Sequence, residues 1–442
     1  MRTCLAVVLA AGEGTRMKSR LPKVLHPIGH LPMVAHVVRA VRAAGADRIA
    51  VVVGPDHAGV DTVVARHAPS ASVHVQQERR GTAHAVLAAR AALAEGCDDL
   101  VVIFGDTPFV SAATVARMRA RLAEGVAVVV GGMVPADPTG YGRLIVEDGQ
   151  LRAIREHKDA SEAERAIRLC NGGIMALRGD RALALLDAIG CDNAQAEFYL
   201  TDAVAIANGN GERVEAIEID AEEVFGINDR LQLAEAERLF QDRLRIAAMA
   251  GGATLLSPET VFFAYDTELG RDVTVGQNVV FGPGVAVDDG VEIRPFCHIE
   301  GARIRTGAVV GPFARLRPGA ELGSGVHVGN FCEIKNAVID DGAKVNHLTY
   351  IGDAHVGAKT NVGAGTITCN YDGVHKHHTE IGANAFIGSN TALVAPVTVG
   401  DGAYIASGSV ITDDVAAGAL ALGRARQVVK PGWAQAKSPK RA

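Results

Sequence analysis

Aliphatic residues in the C-terminal half of the chain recur at every sixth position. Ile381, Ile387, Leu393, Val399, Ile405 and Ile411 keep this spacing, as do Ile304, Val310, Leu316, Leu322, Val328 and Ile334, and Val273, Val279, Val285 and Val291. Small residues, mostly Gly and Ala, stand beside them. A period of six fits neither an amphipathic helix nor a lone alternating strand. It fits short parallel strands wound into a coil, each sending one aliphatic side chain inward. Three strands per turn give a coil of about 18 residues that climbs about 4.8 Å, one strand spacing.

The N-terminal half has another rhythm. Cys4 to Leu9 is an apolar run of strand length, Met33 to Ala44 reads as a helix and Arg48 to Val53 as a strand. Thr82 to Ala94 reads as a helix, and Leu100 to Phe104 as a strand closing in Gly105-Asp106. This alternation predicts an α/β sheet of buried, mostly parallel strands. Leu231 to Ala250 has no Gly or Pro and predicts one long helix. From about Gly252 the composition turns to Gly, Val and Ala. The expected domains are residues 1–230, a linker helix at 231–251 and the coil at 252–442.

The balance of 44 Lys+Arg against 50 Asp+Glu, a net charge of -6, argues against a general nucleic-acid binder. No apolar stretch reaches the length of a membrane span. The seven Cys are scattered without a CxxC pair, and no secretory leader precedes the first apolar run. Reduced thiols in a cytoplasmic protein are the expectation. Residues 430–442 carry four cations and two prolines and read as a loose end.

Candidate chemistry begins directly after the first strand, at Leu9 to Met17, LAAGEGTRM. Glycines there let the backbone approach a ligand and turn N–H groups toward phosphate oxygens. Arg16 and Lys23 add cations suited to a polyphosphate. The GxxxxGK[ST] spacing of a P-loop is absent. Asp106 closes an apolar strand, where open α/β sheets bind ligands. Its carboxylate, with a neutral oxygen from Asn228, could hold Mg²⁺. Read singly, Asp106 is better explained as a strand-end cap and Asn228 as a turn or helix cap.

The motifs read together go further. LAAGEGTRM, PKVLH at 22–26, QQERRGTAHA at 76–85, FGDTP at 104–108, TGYGR at 139–143, EHKDA at 156–160, NGGIMA at 171–176 and EFYLTD at 197–202 occur in order. They resemble the uridylyltransferase half of the bifunctional GlmU family, within the sugar-phosphate nucleotidyltransferases. The resemblance implies a Rossmann-like nucleotidyltransferase domain that takes UTP. Leu9, Ala10, Ala11, Gly12, Gln76, Gly81, Thr82, Phe104 and Gly105 would line its nucleotide site. Arg16 and Lys23 would neutralise phosphates, Asp106 and Asn228 would hold Mg²⁺, and Gly142, Glu156, Asn171 and Thr201 would hold N-acetylglucosamine 1-phosphate. Phe104 stands where the family often has Tyr, and Arg79-Arg80 where it often has less charge.

In the coil, polar chemistry concentrates where the six-residue beat breaks. NHLTYI at 346–351 carries His347, and GAGTITCNYD at 363–372 leads into a polar loop ending in His378. Acetyl transfer to an amine needs a base, and His is matched to that at neutral pH. His347 stands out through its polar neighbours Tyr350, Asn361, Asn370, Tyr371 and Lys376. Zinc at His375, His377 and His378 is disfavoured, because adjacent residues of an extended segment point to opposite sides. RLRPGAEL at 315–322, HVGNFCEIK at 327–335, NHLTY, NVGAGTITCNYDG at 361–373 and LVAPVTVG at 393–400 again resemble GlmU, in its acetyltransferase half. This implies a left-handed parallel β-helix, a homotrimer with each acetyl site built between subunits, and His347 as general base. Arg317, Lys335, Tyr350, Asn361 and Lys376 would bind glucosamine 1-phosphate. Ala364, Asn370, Tyr371, Ser389, Ser407 and Arg424 would contact acetyl-CoA. Two rivals are an enzyme for another sugar phosphate or nucleotide whose coil serves only for oligomerisation, and a protein whose coil is an assembly scaffold with a dead acetyl site; the intact His347, Arg317 and Lys335 set argues against both.

Overall fold

The computed structural model describes residues 2–437, apart from 56 and 58. The chain divides into two compact units, Met1–Phe240 and Gln241–Ala442. The division falls inside the helix Arg230–Ala250. In the first unit, Phe240 of this helix packs its ring against His36 and Phe109. In the second, Gln241 and Arg245 donate to the carbonyls of Phe263 and Val261 at 2.8 and 3.0 Å. Residues 438–442 of the basic tail lie outside the described residues, and Trp433–Lys437 forms a short exposed helix.

The first unit is a mixed sheet in the order Val214–Glu218, Val128–Met133, Cys170–Arg178, Asp99–Phe104, Cys4–Ala10, Arg48–Val53, Ser72–Val75. All neighbours run parallel except Cys170–Arg178, which is antiparallel to both of its partners. Buried Val, Leu and Ala face both sides of the central strands, so these read as continuous apolar runs. The expected helix at 82–94 is broken: Thr82–Ala88 closes with a bond from Ala89 N to Val86 O of 3.0 Å, and Arg90–Ala94 restarts it. That tighter i→i−3 bond turns the axis within a segment whose Gly-free sequence carries no break signal.

The second unit is a parallel β-coil. Thr274 pairs with Glu292, Glu292 with Val309 and Val309 with His327, so each turn takes 17 or 18 residues. The six-spaced aliphatics named above are all buried and form one continuous core. Asn361 pairs with Phe386, a step of 25, because the 370–378 loop is inserted in that turn.

Candidate active sites

Parallel strands of the sheet deliver the N-terminal site. Leu9 pairs with Phe104, and Gly105 N donates to Leu9 O at 2.8 Å, so the glycine-rich loop and Asp106 emerge side by side. Gln76 N donates to Val53 O at 2.8 Å, which brings the third loop to the same sheet edge. A cleft of about 360 Å³ opens there, lined by Leu9, Ala10, Ala11, Gly12, Lys23, Gln76, Gly81, Thr82, Phe104, Asp106 and Asn228. Arg79 and Glu197 line it as well. Arg16 is exposed and lies outside this lining.

Two glycines are needed for the shape. Gly14 has φ 64°, and a Cβ on it would lie 2.6 Å from Lys23 Cβ, so only glycine lets the lysine pass beneath the loop. Gly81 has φ 108°, and its Cβ would strike the Phe198 backbone at 2.5 Å. Asn228 reaches the cleft because Ile227 N donates to Asp106 O at 3.1 Å. The Lys23 ammonium then sits between the two oxygens, paired with Asp106 Oδ2 and donating to Asn228 Oδ1 at 3.1 Å. Two oxygens converging on a cation fit Mg²⁺, which takes its remaining ligands from phosphates and water.

The expected sugar-binding residues form a neighbouring group. Thr201 Oγ1 donates to Glu156 Oε1 at 3.2 Å, Asn171 N donates to Gly142 O at 2.8 Å, and a Cβ on Gly142 would lie 3.4 Å from the Glu156 carboxylate. Burial pushes the Glu156 carboxyl above its usual range, and the Thr201 hydroxyl offsets part of this. Leu200 N donates to Thr82 Oγ1 at 2.9 Å, tying the 197–202 segment to the nucleotide cleft.

In the coil, one column rises turn by turn: Asn330, His347, Ala364, Ser389, Ser407. Backbone bonds link its turns, Gly365 N to His347 O at 3.1 Å, Asn390 N to Ala364 O at 2.7 Å and Gly408 N to Ser389 O at 2.8 Å. Arg424 caps it, its Cδ 3.8 Å from the Cβ position of Gly408. His347 is exposed, and its Nδ1 donates to Asn330 Oδ1 at 2.7 Å, which leaves Nε2 as the free basic nitrogen.

A second group gathers the expected sugar-phosphate ligands. Arg317 Nη1 donates to Glu333 Oε1 at 2.8 Å, and Glu333 pairs in register with Tyr350. Lys335 and Lys376 come together, and the Lys335 ammonium pulls the Lys376 pKa down. Two ammoniums side by side are costly alone and suit a phosphate dianion. Asp353 counterbalances them. Burial pushes its carboxyl up, but Asn336 and Asn370, which both donate to it, outweigh this together with the two lysines and hold it below the usual range. Asn370 Nδ2 also donates to the Tyr350 hydroxyl at 3.4 Å, and Tyr371 bridges to Lys376. Asn361 lies on the strand leading to Ala364, in register with Lys344 and Phe386. His377 meets Asp372 and His378 meets Glu380, at 2.7 and 3.3 Å.

Sequence reading missed Asn330, Glu333, Asp353 and the placement of Arg79. Asn330 and Glu333 sit within the HVGNFCEIK motif, but their partners lie one turn away in space, and Asp353 carries no local signal.

Residues 6–171 match the MobA-like NTP transferase domain, and residues 378–413 match the bacterial transferase hexapeptide family of six repeats. Proteins called bifunctional protein GlmU from Xanthobacter autotrophicus and Azorhizobium caulinodans are each similar to this chain, 62% identical over 435 residues. The alignments cover 98% of this chain and 97% of each relative. A Bartonella quintana protein of the same name is 52% identical over 434 residues, covering 98% of this chain and 97% of its own.

Proposed function

This chain belongs to the GlmU family of bifunctional proteins, and we propose that its left-handed β-helix acetylates glucosamine 1-phosphate with acetyl-CoA while its mixed-sheet domain joins the product to UTP. N-acetylglucosamine 1-phosphate then becomes UDP-N-acetylglucosamine, pyrophosphate leaves, and the nucleotide sugar feeds cell-wall glycan synthesis in the cytoplasm. The observation that carries this reading is that residues scattered along each motif set gather into sites whose charges suit those substrates.

In the first step, His347 Nε2 takes a proton from the substrate amine as the amine attacks the thioester carbonyl, and the CoA thiolate leaves. Asn330 holds the imidazole in the tautomer this needs. Lys335 and Lys376 take the phosphate, with Arg317 and Tyr350 beside them. In the second step, the sugar phosphate oxygen attacks the α-phosphorus of UTP in line. No protein nucleophile is required, since positioning and charge neutralisation supply the catalysis. The glycine-rich loop and Lys23 hold the polyphosphate. Asp106 and Asn228 would hold Mg²⁺, which would supply further neutralisation of phosphate charge.

The acetyl site is completed between copies in a homotrimer. Beside the Asn330–His347 column stands a second one, Phe296, Phe313, Phe331 and Leu348, exposed at 46, 46, 55 and 62%. Its phenylalanine rings stack at 4.8 and 5.2 Å. An apolar column open along the edge that carries the base supports cover by another copy.

His347→Ala is expected to abolish acetyl transfer and spare uridylyl transfer, and Asp106→Ala to do the reverse. Both are followed by supplying glucosamine 1-phosphate, acetyl-CoA, UTP and Mg²⁺ and identifying the product that accumulates. Loss of both activities in either folded variant would refute two separate sites.

A further inference from the structure

Gln76 is buried in the wall of the nucleotide cleft, and its carboxamide has a fixed polarity. Its Nε2 donates to Gly81 O at 3.3 Å and lies 3.1 Å from His84 Nδ1. Gly81 O can only accept, so the amide nitrogen and not the oxygen must face it. The Gly81 carbonyl is held in its direction by a second bond, which it accepts from Ala85 N at 3.1 Å at the start of the Thr82–Ala88 helix. His84 Nδ1 therefore accepts the other amide hydrogen, which places the ring proton on Nε2.

His84 stands behind the cleft wall. It lines a separate hollow with Gln77, Glu78, Leu87 and Ala88, and its ring lies 6.3 Å from that of Phe198. It is thus placed to touch Gln76 and not the nucleotide. With both amide hydrogens engaged, Gln76 has one free polar atom, Oε1. This oxygen receives no hydrogen bond among the described residues and is not among the fully buried unpaired atoms.

We infer that His84 is a positioning residue for base selection: it locks the Gln76 amide so that only a carbonyl oxygen meets the pyrimidine edge. This rests on the proposal that Gln76 reads the uridine base. A bare acceptor suits uracil, whose N3 carries a hydrogen, and repels cytosine, whose N3 is itself an acceptor. Without His84 the 3.3 Å bond to Gly81 is the one side-chain hydrogen bond left to Gln76 among the described residues, and the amide can turn its NH₂ toward the base.

The test compares kcat/KM for UTP and CTP in the full-length enzyme. His84→Phe keeps a ring against Phe198 but removes the acceptor, and the UTP:CTP ratio should fall by about tenfold, the worth of one well-placed hydrogen bond. His84→Asn, whose side-chain oxygen can stand near the Nδ1 position, should retain most of the discrimination. His84→Gln, whose oxygen reaches the Nε2 position instead, should behave like the phenylalanine variant and serves if that variant folds poorly. Gln76→Leu should collapse the ratio. If Gln76→Leu collapses it and both His84→Phe and His84→Gln leave it within about twofold of the parent, the orienting role is overturned and the base-reading assignment stands. If Gln76→Leu leaves the ratio unchanged, the assignment beneath the inference is overturned with it.

Discussion

The proposed acetyl base is set by a partner one coil below it. A free imidazole can carry its proton on either nitrogen, and only the form with Nε2 bare can accept from an amine approaching from that side. The 2.7 Å bond to Asn330 selects that form before substrate arrives. Asn330→Ala should lower kcat for acetyl transfer about tenfold, the worth of the one hydrogen bond that sets the tautomer. KM for glucosamine 1-phosphate should change little, because Asn330 lies in the base column and Lys335 and Lys376 in the other group. Steady-state kinetics at saturating acetyl-CoA separate the two parameters, and a change confined to KM would refute the orienting role. Asp353 acts at the same scale, since its carboxylate lets two lysines sit together before a phosphate binds.

Among the elements, the 370–378 insertion shows how a loop stays ordered on the surface of a regular coil. Asp372 accepts from His375 N and Val374 N at 2.6 and 2.7 Å and pairs with His377 at 2.7 Å. Its His375 backbone bond, followed by the His377 side chain and the Val374 backbone bond, lowers its pKa to about 2. The folded value is depressed below the ordinary one, so the order it confers is complete above the ordinary carboxylate range and is lost as pH falls through about 2. The Val374 and His375 amide resonances should therefore titrate with a midpoint near 2. A midpoint at the ordinary carboxylate value would show that the loop is not held this way. Lys376 rides on this loop, so the same bonds aim a proposed substrate ligand.

For the molecule as a whole, the proposed trimer contact along the exposed phenylalanine column would link assembly to one activity only. Phe313 stacks between Phe296 and Phe331, so a charge there would be buried without a partner when copies associate. Phe313→Glu is expected to shift the protein from trimer to monomer in light scattering. Acetyl transfer should fall with it, and uridylyl transfer should persist. A trimer that survives the substitution with acetyl transfer intact would place the interface elsewhere.

The sequence by itself determined both architectures and marked where the proposed chemistry sits. The six-residue beat marks the inward positions of the coil, because one aliphatic side chain per short strand is what such a core can hold, and all sixteen named positions are buried. The glycine-rich loop, the Gly105-Asp106 strand end and the break in the beat were each visible as local departures from a regular pattern. Tertiary structure alone decided the pairings: Lys23 between Asp106 and Asn228, Asn330 under His347, Asp353 with Asn336 and Asn370, His84 behind Gln76. Apart from His84 and Gln76, each joins residues many positions apart, brought together by sheet register or by the coil's pitch. Even at eight positions' spacing, the polarity of the Gln76 amide depends on the Gly81 carbonyl, whose direction is set where the folded helix start offers it Ala85 N. A linear pattern records which side chains face inward. It does not record which polar groups close on one another, because that depends on distances set only when strands stack.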